Sequence, residues 1–146
     1  MNNYFSETAC AIPSVAIFVK TIPNCINQNP ENVRIEKIIE LTSAKVVAGN
    51  HDKLPEITTA FSSDLMSDVL TLEHHDIILI TGLANIQLLR TVEIADVPVV
   101  LLCRNKTATP EMIDLANEIG IVFLETPFSI FRAGGILYEN GLKPLY

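Results

Sequence analysis

Four short polar segments hold the residue types that could do chemistry in this chain: Ser62-Ser63-Asp64, Thr81-Gly82-Leu83-Ala84-Asn85, Cys103-Arg104-Asn105-Lys106-Thr107 and Glu125-Thr126-Pro127. Arg104 and Lys106 put two of the ten basic residues on one loop. A guanidinium and an ammonium there can hold a phosphate or a carboxylate, and a solvated loop is the equal alternative. Gly82 and Asn85 lie between an apolar run and a helical pattern, where free N–H groups favour an anion; a tight turn with Asn85 as N-cap is the plainer reading. Ser62 and Ser63 offer hydroxyls to a phosphate or, more simply, cap the helix that the spacing predicts from residue 64; Asp64 beside them repels an anion. With Thr126 added, the candidate ligand-binding set is Ser62, Ser63, Thr81, Gly82, Asn85, Arg104, Lys106 and Thr126.

Other constellations point away from catalysis. His74 and His75 are adjacent and face different sides, so they make no i,i+4 metal pair, and no metal site is expected. Cys103 ends an apolar run and reads as a small buried group; as a nucleophile it would need a His or Asp oriented beside it. Cys10, Cys25 and Cys103 are widely spaced, odd in number and without a Cys-x-x-Cys pair. That pattern excludes a disulfide framework and a zinc ribbon. Glycine-rich dinucleotide and P-loop fingerprints are absent, and no cofactor is expected.

The scaffold for these segments follows from hydrophobic periodicity. Ile35, Ile38, Ile39 and Leu41 predict a helix over 33–42, with Asn32 as N-cap. Lys45-Val46-Val47-Ala48-Gly49 and Ile57-Thr58-Thr59-Ala60-Phe61 read as short strands on either side of a polar turn at 50–53. Helical spacing recurs over 64–72, 85–95, 110–119 and 129–140. The third of these has Thr109 as N-cap, Pro110 at its first position, Glu111 in its first turn and Gly120 as its stop. Between the helices lie continuous apolar runs: Ile77-Ile78-Leu79-Ile80, residues 97–102 and Ile121-Val122-Phe123-Leu124. Strands that do not alternate are buried on both faces, which predicts a three-layer α/β fold with a mainly parallel sheet and right-handed crossover helices. Ligands of such sheets bind beyond the carboxyl ends of the strands, where the four polar segments fall. Gly134-Gly135 inside the last helix marks close approach of another backbone, across a dimer interface, or a local break.

Length and charge set the frame. A chain of 146 residues is one ordinary domain, and 49% hydrophobic residues are too many for a disordered one. No apolar run nears the about 20 residues of a membrane helix, so no membrane partner is expected. The net charge of −7 disfavours nucleic acid, and aromatics at 6% without Trp disfavour a base-stacking platform. Residues 1–32 carry Pro13, Pro23, Pro30, an Asn-rich stretch (Asn24, Asn27, Asn29) and the apolar piece Val15-Ala16-Ile17-Phe18-Val19. They read as an N-terminal arm with one strand, and residues 33–146 as the α/β domain. No Lys or Arg precedes Lys20, so a signal peptide's basic region is missing and a cytoplasmic location is expected.

From about residue 33 to 142 the pattern resembles the DRTGG domain. The resemblance is carried by Ile35-Glu36-Lys37-Ile38-Ile39-Glu40-Leu41 followed by Lys45-Val46-Val47-Ala48-Gly49, then Ser63-Asp64-Leu65-Met66-Ser67-Asp68-Val69-Leu70 and Ile77-Ile78-Leu79-Ile80-Thr81-Gly82. Pro110-Glu111-Met112, Glu118-Ile119-Gly120-Ile121, Thr126-Pro127-Phe128-Ser129-Ile130-Phe131 and Gly135-Ile136-Leu137-Tyr138 complete it. A contiguous Asp-Arg-Thr-Gly-Gly is absent. Such domains occur alone, beside nucleotide-sensing CBS domains in some pyrophosphatases and in some phosphotransacetylases, and are similar to the N-terminal domain of HPr kinase/phosphorylase. The resemblance implies a non-catalytic regulatory module that pairs as a homodimer and binds a small, phosphorylated or nucleotide, ligand or a partner protein. Two alternatives stand beside it: a small transferase using Cys103, Arg104 or Ser63, and a structural subunit whose arm adds a strand to a neighbour's sheet.

Overall fold

Alternate residues of the central strands serve opposite faces of one sheet, and this places a helical layer on each side. The computed structural model describes residues 33–50, 52 and 56–146. Its elements are α1 (Ile35–Thr42), β1 (Lys45–Ala48), β2 (Thr59–Ser62), α2 (Met66–Val69), β3 (Ile77–Thr81), α3 (Ile86–Ile94), β4 (Val99–Leu102), α4 (Pro110–Ile119), β5 (Val122–Glu125), α5 (Ile130–Glu139) and β6 (Lys143–Pro144). The six strands run in the order β1-β5-β4-β3-β2-β6. All pairings are parallel except β1 with β5, which is antiparallel and bulged between Val46 and Ala48.

Ile77, Leu79, Val100, Leu102 and Phe123 face α2, α3 and α4, burying Val69, Leu88, Leu89, Val92, Met112 and Leu115. Ile78, Ile80, Val99, Leu101, Val122 and Leu124 face α1 and α5, burying Ile35, Ile38, Ala133 and Leu137. The three-layer α/β architecture expected from the apolar runs is the one observed. It is a six-stranded, mostly parallel sheet with helices between the strands.

Three helix starts are as expected or closely so. The Asn85 side chain accepts from Leu88 N at 3.0 Å, and Thr109 caps α4 by accepting from Met112 N, with Pro110 next to it. Ser129 caps α5 in the same way through Arg132 N. Gly120 ends α4 at φ +78°, the left-handed shape a glycine takes without cost.

Other boundaries differ for physical reasons. The helix expected over 64–72 is a single turn, α2, because the side chains meant to start it are spent elsewhere. Ser63 Oγ accepts from Leu65 N two residues on, and the Asp64 carboxylate is turned towards β3. Ser62 and Ser63 therefore cap nothing; Leu65 holds the N-cap position without a side-chain bond. α1 starts at Ile35 rather than 33, because Val33 exchanges backbone bonds with Ile57 (2.9 and 3.2 Å) and is held extended. The expected break at Gly134-Gly135 does not occur, since α5 runs unbroken through both. The nearest atom to a Cβ on Gly134 would be Ser62 Oγ at 3.9 Å, and Gly135 faces open space. Asn32 and the whole arm, including Val15 to Val19, lie outside the described residues, as do Cys10, Cys25, His51 and Lys53. Among the described residues no helix is long and apolar enough to cross a membrane.

Candidate functional site

Parallel pairing of β2, β3, β4 and β5 brings their carboxyl ends to one edge of the molecule. Asp64, two residues beyond β2, is the centre of that edge. Its Oδ1 accepts from the Thr81 hydroxyl at 2.8 Å and from Gly82 N at 2.6 Å, at the end of β3. Its Oδ2 accepts from Arg104 Nη2 at 2.6 Å, from the loop after β4. Burial pushes the Asp64 carboxyl up, but the Gly82 N–H, the Thr81 hydroxyl and the Arg104 charge together hold it below its ordinary value.

The Arg104 backbone is tightly placed. Residues 104 and 105 are both left-handed (φ +66° and +54°), an uncommon shape for an arginine. It persists because Cys103 N bonds Thr81 O (2.8 Å), Arg104 N bonds Phe128 O (2.7 Å) and Asn105 N bonds Thr126 O (3.2 Å). The loop thus clips the end of β4 to those of β3 and β5. The guanidinium then lies over Gly82: a Cβ there would come within 1.9 Å of Arg104 Nη2. A side chain at position 82 would push the flexible Arg104 guanidinium aside, and the Gly82 backbone itself has no need of glycine.

Of the eight residues expected at the site, Thr81, Gly82 and Arg104 meet directly around Asp64. Lys106 lies exposed on the Arg104 loop, and Ser62 is exposed at the end of β2. Ser63 is held in its local turn, and Asn85 is occupied as a cap. Thr126 is buried; its hydroxyl donates to Thr42 O at 2.6 Å and accepts from Phe128 N at 3.2 Å. The bond to Thr42 O fastens the loop after β5 to the end of α1, and the bond from Phe128 N shapes the loop itself.

The roles of Asp64 and Arg132 escaped the sequence reading, while Cys103 is the small buried group it was read as. Asp64 stands as Arg104's counter-charge, forty residues away in the chain, where no local signal could show it. Arg132 places its guanidinium 3.7 Å from the centre of the Phe128 ring. That pair is four residues apart at a helix start, a spacing at which side chains meet and cations stack on rings. Cys103 is fully buried, and burial pushes its thiol up to about 11, with the Arg104 charge opposing and Asp64 adding to the rise. It is therefore a protonated core group at neutral pH and no nucleophile, which removes it from the transferase alternative. His74 and His75 precede β3, at the opposite end of the sheet from Ser63 and Arg104, so neither can act as a base beside them.

Arg104 and Lys106 share the loop after β4, and Arg132 stacks on Phe128, whose backbone oxygen accepts from Arg104 N. Among the described residues neither Lys106 nor Arg132 has an ion-pair partner. The nearby Glu125 carboxylate is engaged by Ala108 N at 2.6 Å.

No family model and no curated protein matches this chain. Among solved structures it is similar to the crystal structure of the CBS and DRTGG domains of the regulatory region of Clostridium perfringens pyrophosphatase, complexed with its activator diadenosine tetraphosphate. The TM-score is 0.64 at 15% identity, over 85% of this chain and 55% of that one. This chain thus spans about half the length of that regulatory region. At such identity the likeness is one of fold, and it is to a DRTGG- or CBS-type domain.

Proposed function

We propose that this chain is a DRTGG-family regulatory module without catalysis of its own, binding a small phosphorylated or nucleotide ligand at the carboxyl ends of β2 to β5 as a homodimer. The observation that carries the reading is the half-exposed Arg104 guanidinium over Gly82, with Lys106 exposed on the same loop and no ion-pair partner for Lys106 or Arg132 among the described residues. The fold likeness to a regulatory region that binds a dinucleoside polyphosphate supports the same ligand class.

Thermal unfolding against a panel of nucleotides and phosphorylated metabolites, diadenosine tetraphosphate included, tests it. A ligand at a hundred times its dissociation constant adds roughly 2.7 kcal/mol, a shift of several degrees for a domain of this size. The shift is expected to vanish in Arg104→Ala. A shift that survives that substitution places the ligand elsewhere.

A second reading, a module for protein contact, has its own observation. α5 exposes Phe131 (92%) and Tyr138 (64%) on one face, two turns apart, with Gly135 open between them. No shift across the ligand panel, together with a dimer that Gly135→Leu breaks in light scattering, would favour this reading.

A further inference from the structure

The Asp64–Arg104 pair is lopsided. Asp64 holds three donors, and only the one on Oδ2 comes from Arg104. When the guanidinium leaves, the carboxylate keeps the Thr81 hydroxyl and the Gly82 N–H, both from the rigid end of β3. Arg104 gives the pair one hydrogen bond, from Nη2, and its side chain is 46% exposed against 42% for Asp64. An ion pair of that exposure is weak. The Arg104 backbone is fixed by Phe128 O, and its neighbour by Thr126 O, so departure needs side-chain rotation alone. Lys106, two residues on, and Arg132, in the α5 turn that follows Phe128, add positive charge to the edge the guanidinium faces.

We propose that Asp64 is a built-in competitor for the ligand's anionic group: it holds Arg104 over Gly82 in the free protein, and a bound phosphate takes the guanidinium from it. The inference rests on the anion-binding reading above and adds its regulation. Binding is an exchange of one anion for another at the same guanidinium, so the empty site carries no unpaired Arg104 charge. Ligand affinity is set low by the competitor. The exchange also uncovers Gly82, so occupancy is signalled at the end of β3.

The test is calorimetric titration of the full chain with inorganic pyrophosphate at fixed ionic strength. The native protein is compared with Asp64→Asn, Asp68→Asn and Arg104→Ala. Asparagine keeps an oxygen for Thr81 and Gly82 and releases Arg104. Asp68, exposed on α2, controls for the loss of one negative charge. Asp64→Asn is expected to bind roughly three to ten times more tightly, Asp68→Asn nearly as the native protein does, and Arg104→Ala not at all. Unchanged or weaker binding by Asp64→Asn, or an equal gain in Asp68→Asn, overturns the exchange while the anion site stands. No binding by the native protein, or undiminished binding by Arg104→Ala, overturns the site and the exchange together. Should Asp64→Asn not fold, the native protein carries the test. Its Arg104 Nε–H resonance must move in step with pyrophosphate binding, and a resonance that stays in place overturns the exchange.

Discussion

The two ends of the sheet use the same side chains and reach different results. At the carboxyl end, Asp64 joins three segments: its own loop, the end of β3 and the loop after β4. At the amino end, Asp76 accepts the Thr58 hydroxyl, and its backbone oxygen takes Thr58 N and Thr59 N at 3.1 and 3.3 Å. Beside it His75 Nδ1 meets Asp96 Oδ2 at 2.8 Å, with side chains 76% and 80% exposed. At the amino end Asp76 takes its donors from one neighbouring segment and the His75–Asp96 pair is solvated, whereas at the carboxyl end one carboxylate joins three segments. Strand direction gives the reason. Parallel strands leave the sheet into loops that lead to helix starts, where N–H donors have no helical partner and gather around an acceptor. At the other end the chain arrives from helix ends, and the turns there point polar groups to water. The Asp64 carboxylate is set apart by its three donors and not by having a cation, since Glu56, ahead of β2, also pairs with Arg34.

Both ends hang on the same core, and the largest effect comes from removing it. Leu79→Ala, in a strand buried along its whole length, is expected to cost about 2–5 kcal/mol in urea unfolding and to weaken both ends together. Should it cost less than Asp64→Asn, the two ends would not depend on a common support. Thr126→Val comes next, because it strands a buried Thr42 carbonyl and the Phe128 N–H; about 1–3 kcal/mol is expected, falling on the carboxyl end alone.

The pH response separates the ends further. Asp64 is held below its ordinary 3.8, so the folded state releases its proton more readily than the unfolded one. Its contribution to stability is complete above that value and is lost as the pH falls through the lower, folded one. Unfolding midpoints compared across about pH 2.5 to 6 should show native protein and Asp64→Asn converging at the acid end and diverging above it. Parallel curves would mean the carboxylate gains nothing from its three donors. The smallest effect belongs to Asp96→Asn, which removes a solvated pair and should change stability by about 0–1 kcal/mol. A loss as large as that of Thr126→Val would erase the contrast between the ends.

The sequence by itself determined the elements whose signals are local. Asn85 before an apolar-periodic stretch, Thr109-Pro110 and Gly120 are bounded by hydrogen bonds within a few residues, so their types announce the helix ends. The continuous apolar runs of β3, β4 and β5 required two buried faces, and those strands lie where the runs do. Of the candidate site, the strand-end location and Arg104 with Gly82 were legible, because a parallel sheet has only one end where loops enter helices. What only the tertiary structure decided depends on partners distant in the chain. The antiparallel direction of β1 is set by pairing with β5, since a four-residue strand reads alike either way. The length of α2 was lost as Asp64 turned to donors across the fold and Ser63 to a local turn. Whether Asp64 repels an anion or shields a cation was settled by a residue forty positions on. Side-chain identity fixes what a group can bond to, and three-dimensional placement selects which of those bonds is made.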